Sequence, residues 1–177
     1  MLPKKIVVTG PESTGKSMLC EQLAAHYETA WVPEYTRQYL LEIKRPYTYE
    51  DLLIIARWQI EQEDRITSSI KRSLVIVDTD MYVMKVWCEF VFGKCHSFIL
   101  DEIVKRKYVG YLLCNTDLPW VADELREYPD LESRERLYHM YKDLMINQST
   151  PWVDVFGSYE ERFQKAVSFI DEVNVEL

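Results

Sequence analysis

Before Thr9 the chain has only a three-residue aliphatic run, Ile6-Val7-Val8, too short for the apolar stretch of a signal peptide or a membrane span. A cytoplasmic protein with no membrane partner is therefore expected. Cysteine is sparse: Cys20, Cys88, Cys95 and Cys114 form no C-x-x-C pair and no zinc-like spacing with His26, His96 or His139, so they read as reduced thiols. Basic residues are in deficit, 21 against 29 acidic, and the net charge of -8 argues against a nucleic-acid surface or an anionic membrane. Any phosphate the chain binds must be held locally. The 177 residues are expected to form one domain, 1-177, and no internal repeat is visible. Glycine is scarce as well, five residues in all, yet two of them fall within one stretch of eight.

That stretch, Gly10-Pro11-Glu12-Ser13-Thr14-Gly15-Lys16-Ser17, matches GxxxxGK(S/T) at every defined position. It is preceded by the apolar run and followed by Met18-Leu19-Cys20-Glu21-Gln22-Leu23, giving the strand, loop and helix order that a phosphate-binding loop requires. The glycines let the backbone curl with its N–H groups inward, and the helix start adds its positive dipole end. The loop from Gly10 through Glu12, Ser13, Thr14, Gly15, Lys16, Ser17 and Met18 is thus the expected nucleotide site. Lys16 would reach the β- and γ-phosphates and the Ser17 hydroxyl would ligate Mg²⁺.

Strands and helices alternate along the rest of the chain. Residues 4–9, 29–32, 73–78, 108–114 and 152–156 read as strands, and helices are expected at about 49–72, 81–92, 98–107, 137–147 and 159–173, with another beginning near Glu34. This predicts an α/β three-layer P-loop NTPase fold with a central parallel five-stranded sheet. Leu74-Val75-Ile76-Val77-Asp78 is a buried strand ending in an acid, the Walker B arrangement that holds Mg²⁺ directly or through water. Asp80 suits an N-cap of the next helix equally well. Pro33 stops the second strand, which places Glu34, Tyr35 and Arg37 at a strand's carboxyl end, where open α/β sheets bind ligands.

The loop says only that a nucleotide binds. A guanine-nucleotide switch wants a glycine three residues after its strand-end aspartate, where Met81 stands, and an NKxD pattern, which Asn115-Thr116-Asp117-Leu118 does not supply. A AAA-type motor needs more chain for a second, helical subdomain. A small-molecule kinase needs three further features. A carboxylate must accept the proton of the attacking hydroxyl: Glu34 first, Asp80 second. Cations must meet the transferring phosphoryl group, and Arg126 and Arg134 are in a charge-dense stretch, 120–136, that has the polarity of a helical lid. The same arginines could instead pair with Glu124, Glu127, Glu132 and Glu135 on a solvated surface.

The phosphate loop GPESTGKS, Glu34-Tyr35-Thr36-Arg37, Val77-Asp78-Thr79-Asp80, and Asn115-Thr116-Asp117 through Leu125-Arg126 to Arg134 occur in the order and spacing of ribosylnicotinamide kinases. The chain resembles the C-terminal kinase domain of the NadR proteins over nearly all of its length. The resemblance implies ATP- and Mg²⁺-dependent phosphorylation of the 5′-hydroxyl of nicotinamide riboside, in a fold akin to deoxynucleoside and thymidylate kinases. It implies ATP and Mg²⁺ contacts at Gly15, Lys16 and Ser17, Asp78 at the Walker B place, a riboside pocket lined by Glu34, Arg37 and Asp80, and lid positions for Arg126 and Arg134. No stretch resembles the HxGH motif of the adenylyltransferase domain, so synthesis would stop at the mononucleotide. A cationic nicotinamide ring calls for an aromatic face beside a carboxylate, with Trp31, Tyr35, Trp58, Tyr82 and Trp87 all available and Trp87 and Tyr35 taken as substrate residues. The remaining readings are another nucleoside or small-metabolite kinase, or a regulatory ATP-binding protein. The partner is a small molecule, and the oligomeric state is left open.

Overall fold

The structure, a computed structural model, describes residues 3–123 and 125–175. Five strands, β1 (Lys4–Thr9), β2 (Trp31–Val32), β3 (Leu74–Asp78), β4 (Gly110–Cys114) and β5 (Trp152–Val155), form one parallel sheet in the order β2-β3-β1-β4-β5. Seven helices accompany them among the described residues: α1 (Lys16–His26), α2 (Thr36–Ile43), α3 (Tyr49–Ser69), α4 (Met81–Phe92), α5 (Ser97–Lys105), α6 (Leu131–Ile146) and α7 (Tyr159–Val175).

The aliphatic runs of β1, β3 and β4 are buried on both faces, and alternate residues feed different cores. Ile6, Val8, Leu74, Ile76, Leu112 and Cys114 pack against Leu19 and Leu23 of α1 and Ala166 and Ile170 of α7. Val7, Val75, Val77, Tyr111 and Leu113 pack on the other face against Val83 and Val86 of α4 and Leu137, Tyr138, Tyr141 and Met145 of α6. Three layers result. Because β1 sends its helix to one face while its neighbours β3 and β4 send theirs to the other, a crevice opens at the carboxyl ends of these strands. The phosphate loop lies in it.

Several boundaries differ from expectation. The strand expected at 108–114 begins at Gly110, the first residue in register with β1, opposite Ile6. The strand expected from Thr29 is reduced to Trp31–Val32. The larger difference is in the 120–136 stretch. Asp130 caps α6 by accepting from the Ser133 N–H at 2.7 Å, so residues 131–136 belong to that helix, and no helix forms among the described residues of 120–130. The segment over the crevice is an irregular strap rather than a helical lid.

The entry to α3 is built around Asp51, whose carboxylate completes a capping box with Thr48, accepts from Tyr39 Oη at 2.6 Å, and takes two bonds from Arg45 at 2.7 and 2.8 Å. These donors hold its pKa below the ordinary 3.8, with Arg45 the largest cause. A carboxylate with a depressed folded pKa stabilises the fold above its unfolded pKa and loses that contribution as pH falls through the folded value. Asp51→Ala should therefore cost about 2 kcal/mol near pH 7, a cap plus a charged hydrogen bond. In urea melts at successive pH values, the gap between variant and wild type should narrow below about pH 4.

Candidate active site

The phosphate loop joins β1 to α1 through left-handed backbone at Ser13 (φ 57°) and Gly15 (φ 77°). Gly10, at φ 133°, could not be replaced cheaply: a Cβ there would lie 2.6 Å from the Cys114 carbonyl oxygen. Thr14 Oγ1 and Lys16 Nζ both donate to the Pro11 carbonyl, at 2.8 and 2.7 Å. Arg162, in the first turn of α7, is buried and donates to the carbonyls of Thr14 (2.9 Å), Asn115 (3.0 Å) and Gly157 (2.9 Å) and to the Asp117 carboxylate, tying the loop to the ends of β4 and β5. Sequence reasoning missed it. Its signal is a cation at the head of the Arg162, Ala166, Ile170 stripe, where an apolar residue would otherwise stand.

Across the crevice, Ser17 Oγ donates to Asp78 Oδ2 at 2.6 Å, while Asp78 Oδ1 is buried without a hydrogen-bond partner. Burial, with the charge of Glu34 second, raises the Asp78 pKa. A destabilised carboxylate with a spare lone pair beside a hydroxyl fits a hard divalent cation such as Mg²⁺. Among the described residues no group of three or more His, Cys, Asp or Glu could hold a metal, so phosphate oxygens and water would complete the shell, as is usual for Mg²⁺.

Glu34 is held beside Asp78 by α3. Gln59, buried, accepts from the Tyr35 N–H at 2.8 Å and donates to the carbonyls of Pro33 (3.3 Å) and Asp78 (3.5 Å), and Gln62 donates to Pro33 O at 2.6 Å. One glutamine thus sets the spacing of the β2 and β3 ends. No motif in the sequence announced it.

A cavity of about 580 Å³ is lined by the loop residues Gly10–Met18, by Glu34 and Arg37, and by an aromatic wall of Tyr47, Trp87, Phe90 and Tyr141. Arg126 is on its rim with Val121 and Tyr128. The strap is tied down from several sides: Ser13 Oγ accepts from Val121 N at 3.1 Å, Arg37 pairs with Asp123 at 2.9 Å, and Tyr128 packs edge-on to Phe90 at 5.1 Å.

Of the residues expected in the site, the structure gathers Lys16, Ser17, Asp78, Glu34, Arg37, Trp87 and Arg126. Three others it places elsewhere. Asp80 is buried behind the wall, capping α4 through the Tyr82 N–H at 3.1 Å and accepting from Tyr111 Oη at 3.1 Å, and burial pushes its pKa up to about 7. Tyr35 stacks on Trp58 (5.9 Å, 29°) rather than on the cavity. Arg134 is buried in α6 and donates to the carbonyls of Thr116 (3.1 Å) and Leu118 (3.0 Å), so it shapes the loop leading to the strap instead of facing phosphate.

Residues 5–162, from β1 into the first turn of α7, match the family model described as AAA domain. The chain belongs to that family. This AAA domain is 25% identical over 179 residues to the trifunctional NAD biosynthesis/regulator protein NadR of Salmonella typhimurium and, equally, to that of Escherichia coli. The alignments span 96% of this chain but 42% of each NadR, so the AAA domain spans less than half the length of these curated relatives. Among solved structures it superposes on the NadR protein in complex with NR with a TM-score of 0.82 (20% identity, 97% of this chain, 50% of that one). It superposes on thymidylate kinase from Candida albicans with a TM-score of 0.65 (15% identity, 97% and 92%). At these identities the superpositions establish the fold alone, a three-layer P-loop α/β fold. Among the described residues no helix of the AAA domain is long and apolar enough to cross a membrane.

Proposed function

We propose that the chain is an Mg·ATP-dependent kinase that phosphorylates the 5′-hydroxyl of nicotinamide riboside to give nicotinamide mononucleotide. The observation that carries this reading is the placing of Glu34: a carboxylate that lines the same cavity as the phosphate loop and the aromatic side chains, and that adds its charge to the burial that raises the Asp78 pKa. Such a charge repels an acceptor that already bears a phosphate and suits a neutral hydroxyl, whose proton it would take as the 5′-oxygen attacks. The aromatic wall, with Glu12 and Glu127 also on the lining, suits the cationic pyridine ring. The similarity to NadR, and the NadR structure containing NR, support the same substrate.

Lys16 would follow the charge of the transferring phosphoryl group, and Arg126 would meet it from the strap. Ser17 and Asp78 would hold Mg²⁺, which would neutralise charge on the phosphates. The strap would exclude water, whose attack would waste the donor.

The test is ADP release with Mg·ATP against nicotinamide riboside, nicotinic acid riboside, thymidine, deoxycytidine, uridine and no acceptor. We expect a response to nicotinamide riboside at least tenfold above the no-acceptor rate, which corresponds to at least about 1.4 kcal/mol of barrier difference. A response confined to another nucleoside would replace the substrate. Tight ATP binding with no acceptor response would favour a regulatory ATP-binding protein instead.

A further inference from the structure

We propose that Tyr47 and Glu127 are positioning residues that make closure of the strap, residues 119–123 and 125–130, depend on an acceptor ring seated in the cavity, an inference that rests on the kinase reading above. Both side chains line the cavity. Trp87 Nε1 donates to Tyr47 Oη at 3.0 Å, and the two rings meet edge to face at 4.9 Å. Because the phenol oxygen accepts from the indole, its own proton is directed away from Trp87, and it is donated to Glu127 Oε2 at 2.6 Å. The backbone N–H groups of Glu127 and Tyr128 in turn donate to Glu12 Oε1, at 2.9 and 2.7 Å. Glu12 belongs to the phosphate loop. Four hydrogen bonds therefore run unbroken from the aromatic wall, through the strap, to the loop that holds the donor.

The coupling follows from solvent. Glu127 is exposed and Tyr47 only partly buried, so water competes for the bond between them and its net contribution is small. A planar ring lying on Trp87 covers Tyr47 and removes that water, and the same hydrogen bond becomes stronger in the drier surroundings. The strap then settles on Glu12 when the acceptor is present and loosens when it is absent. ATP is protected from water in the loaded enzyme without the strap having to touch the reacting hydroxyl.

Tyr47→Phe removes the hydroxyl and keeps the ring against Trp87 and Phe92. It should raise the ratio of acceptor-independent to acceptor-dependent ADP release about tenfold and the acceptor KM about fivefold, in the range of ordinary coupling between sites. In that ratio Glu127→Ala should reproduce the change, Glu127→Gln, which still accepts, should restore much of it, and the double variant Tyr47→Phe/Glu127→Ala should add nothing to either single change. Hydrogen exchange gives a readout independent of turnover: the Glu127 and Tyr128 amides, bonded to Glu12, should exchange several-fold faster in Tyr47→Phe, and in wild type with an ATP analogue they should slow when the acceptor is added. If wild type responds to an acceptor but Tyr47→Phe alters neither the ratio nor the exchange, the coupling is overturned while the kinase reading stands. If no nucleoside stimulates wild type, the kinase reading falls, and unchanged amide exchange in the variant would overturn the latch as well. Should Tyr47→Phe fold poorly, the exposed Glu127→Ala carries the same test.

Discussion

Glu34→Gln is expected to lower kcat for acceptor-dependent ADP release by about 10²- to 10⁴-fold, the usual contribution of a positioned general base. Glutamine keeps the shape and hydrogen-bonding reach of the side chain but cannot take the hydroxyl proton, so ATP affinity and the acceptor KM should change far less than kcat. The fold should not suffer. Burial raises the Asp78 pKa and the like charge of Glu34 adds to it, and neutralising Glu34 relieves that repulsion, so the melting temperature should hold or rise. Asp80→Asn provides the comparison: Asn can still cap α4, and Asp80 is buried behind the cavity wall, so its rate loss should be small beside that of Glu34→Gln. A Glu34→Gln enzyme within threefold of wild type, or an Asp80→Asn enzyme with the larger loss, would move the base away from Glu34.

Lys16→Ala is the second large effect. Removing one preorganised cation from the phosphate site should cost about 10³-fold in transfer rate, or about 4 kcal/mol of barrier. Its structural cost should be slight. The Lys16 ammonium donates to the Pro11 carbonyl of its own loop, and alanine is a good residue for the first turn of α1. A thermal melt within about 3 °C of wild type, a shift of about 1 kcal/mol for a chain of this size, would show that the lost activity is a loss of ligand contact. Turnover retained by a folded Lys16→Ala protein would remove the loop from the catalytic ATP site.

Much of the architecture was legible before any coordinates because it rests on local signals. The Gly10–Ser17 pattern, the continuous aliphatics of β1 and β3, and an acid ending β3 are contiguous in the chain, and each constrains its own neighbourhood. The start of α6 was less legible. Residues 131–136 are dense in charge and read as part of a lid, yet Asp130 supplies a cap and the helix carries Arg134 inward to two carbonyls, a contact that charge density alone does not reveal. Arg162 was obscured for the same reason, since a lone cation in an amphipathic helix looks solvated until the partners for its five N–H groups are known.

What the sequence by itself determined is that this chain builds a P-loop α/β domain, with Lys16, Ser17 and Asp78 as the candidates for phosphate and a divalent cation. What only the tertiary structure decided is which carboxylate faces the cavity, Glu34 and not Asp80, and how the strap is fastened. The physical reason is separation along the chain. Gln59 sets Glu34 against Asp78 from the middle of a third element, and Glu12 meets Tyr128 across 116 residues. Contacts of that range depend on the strand order β2-β3-β1-β4-β5 and on the face each helix covers, and no pattern within a short stretch encodes either.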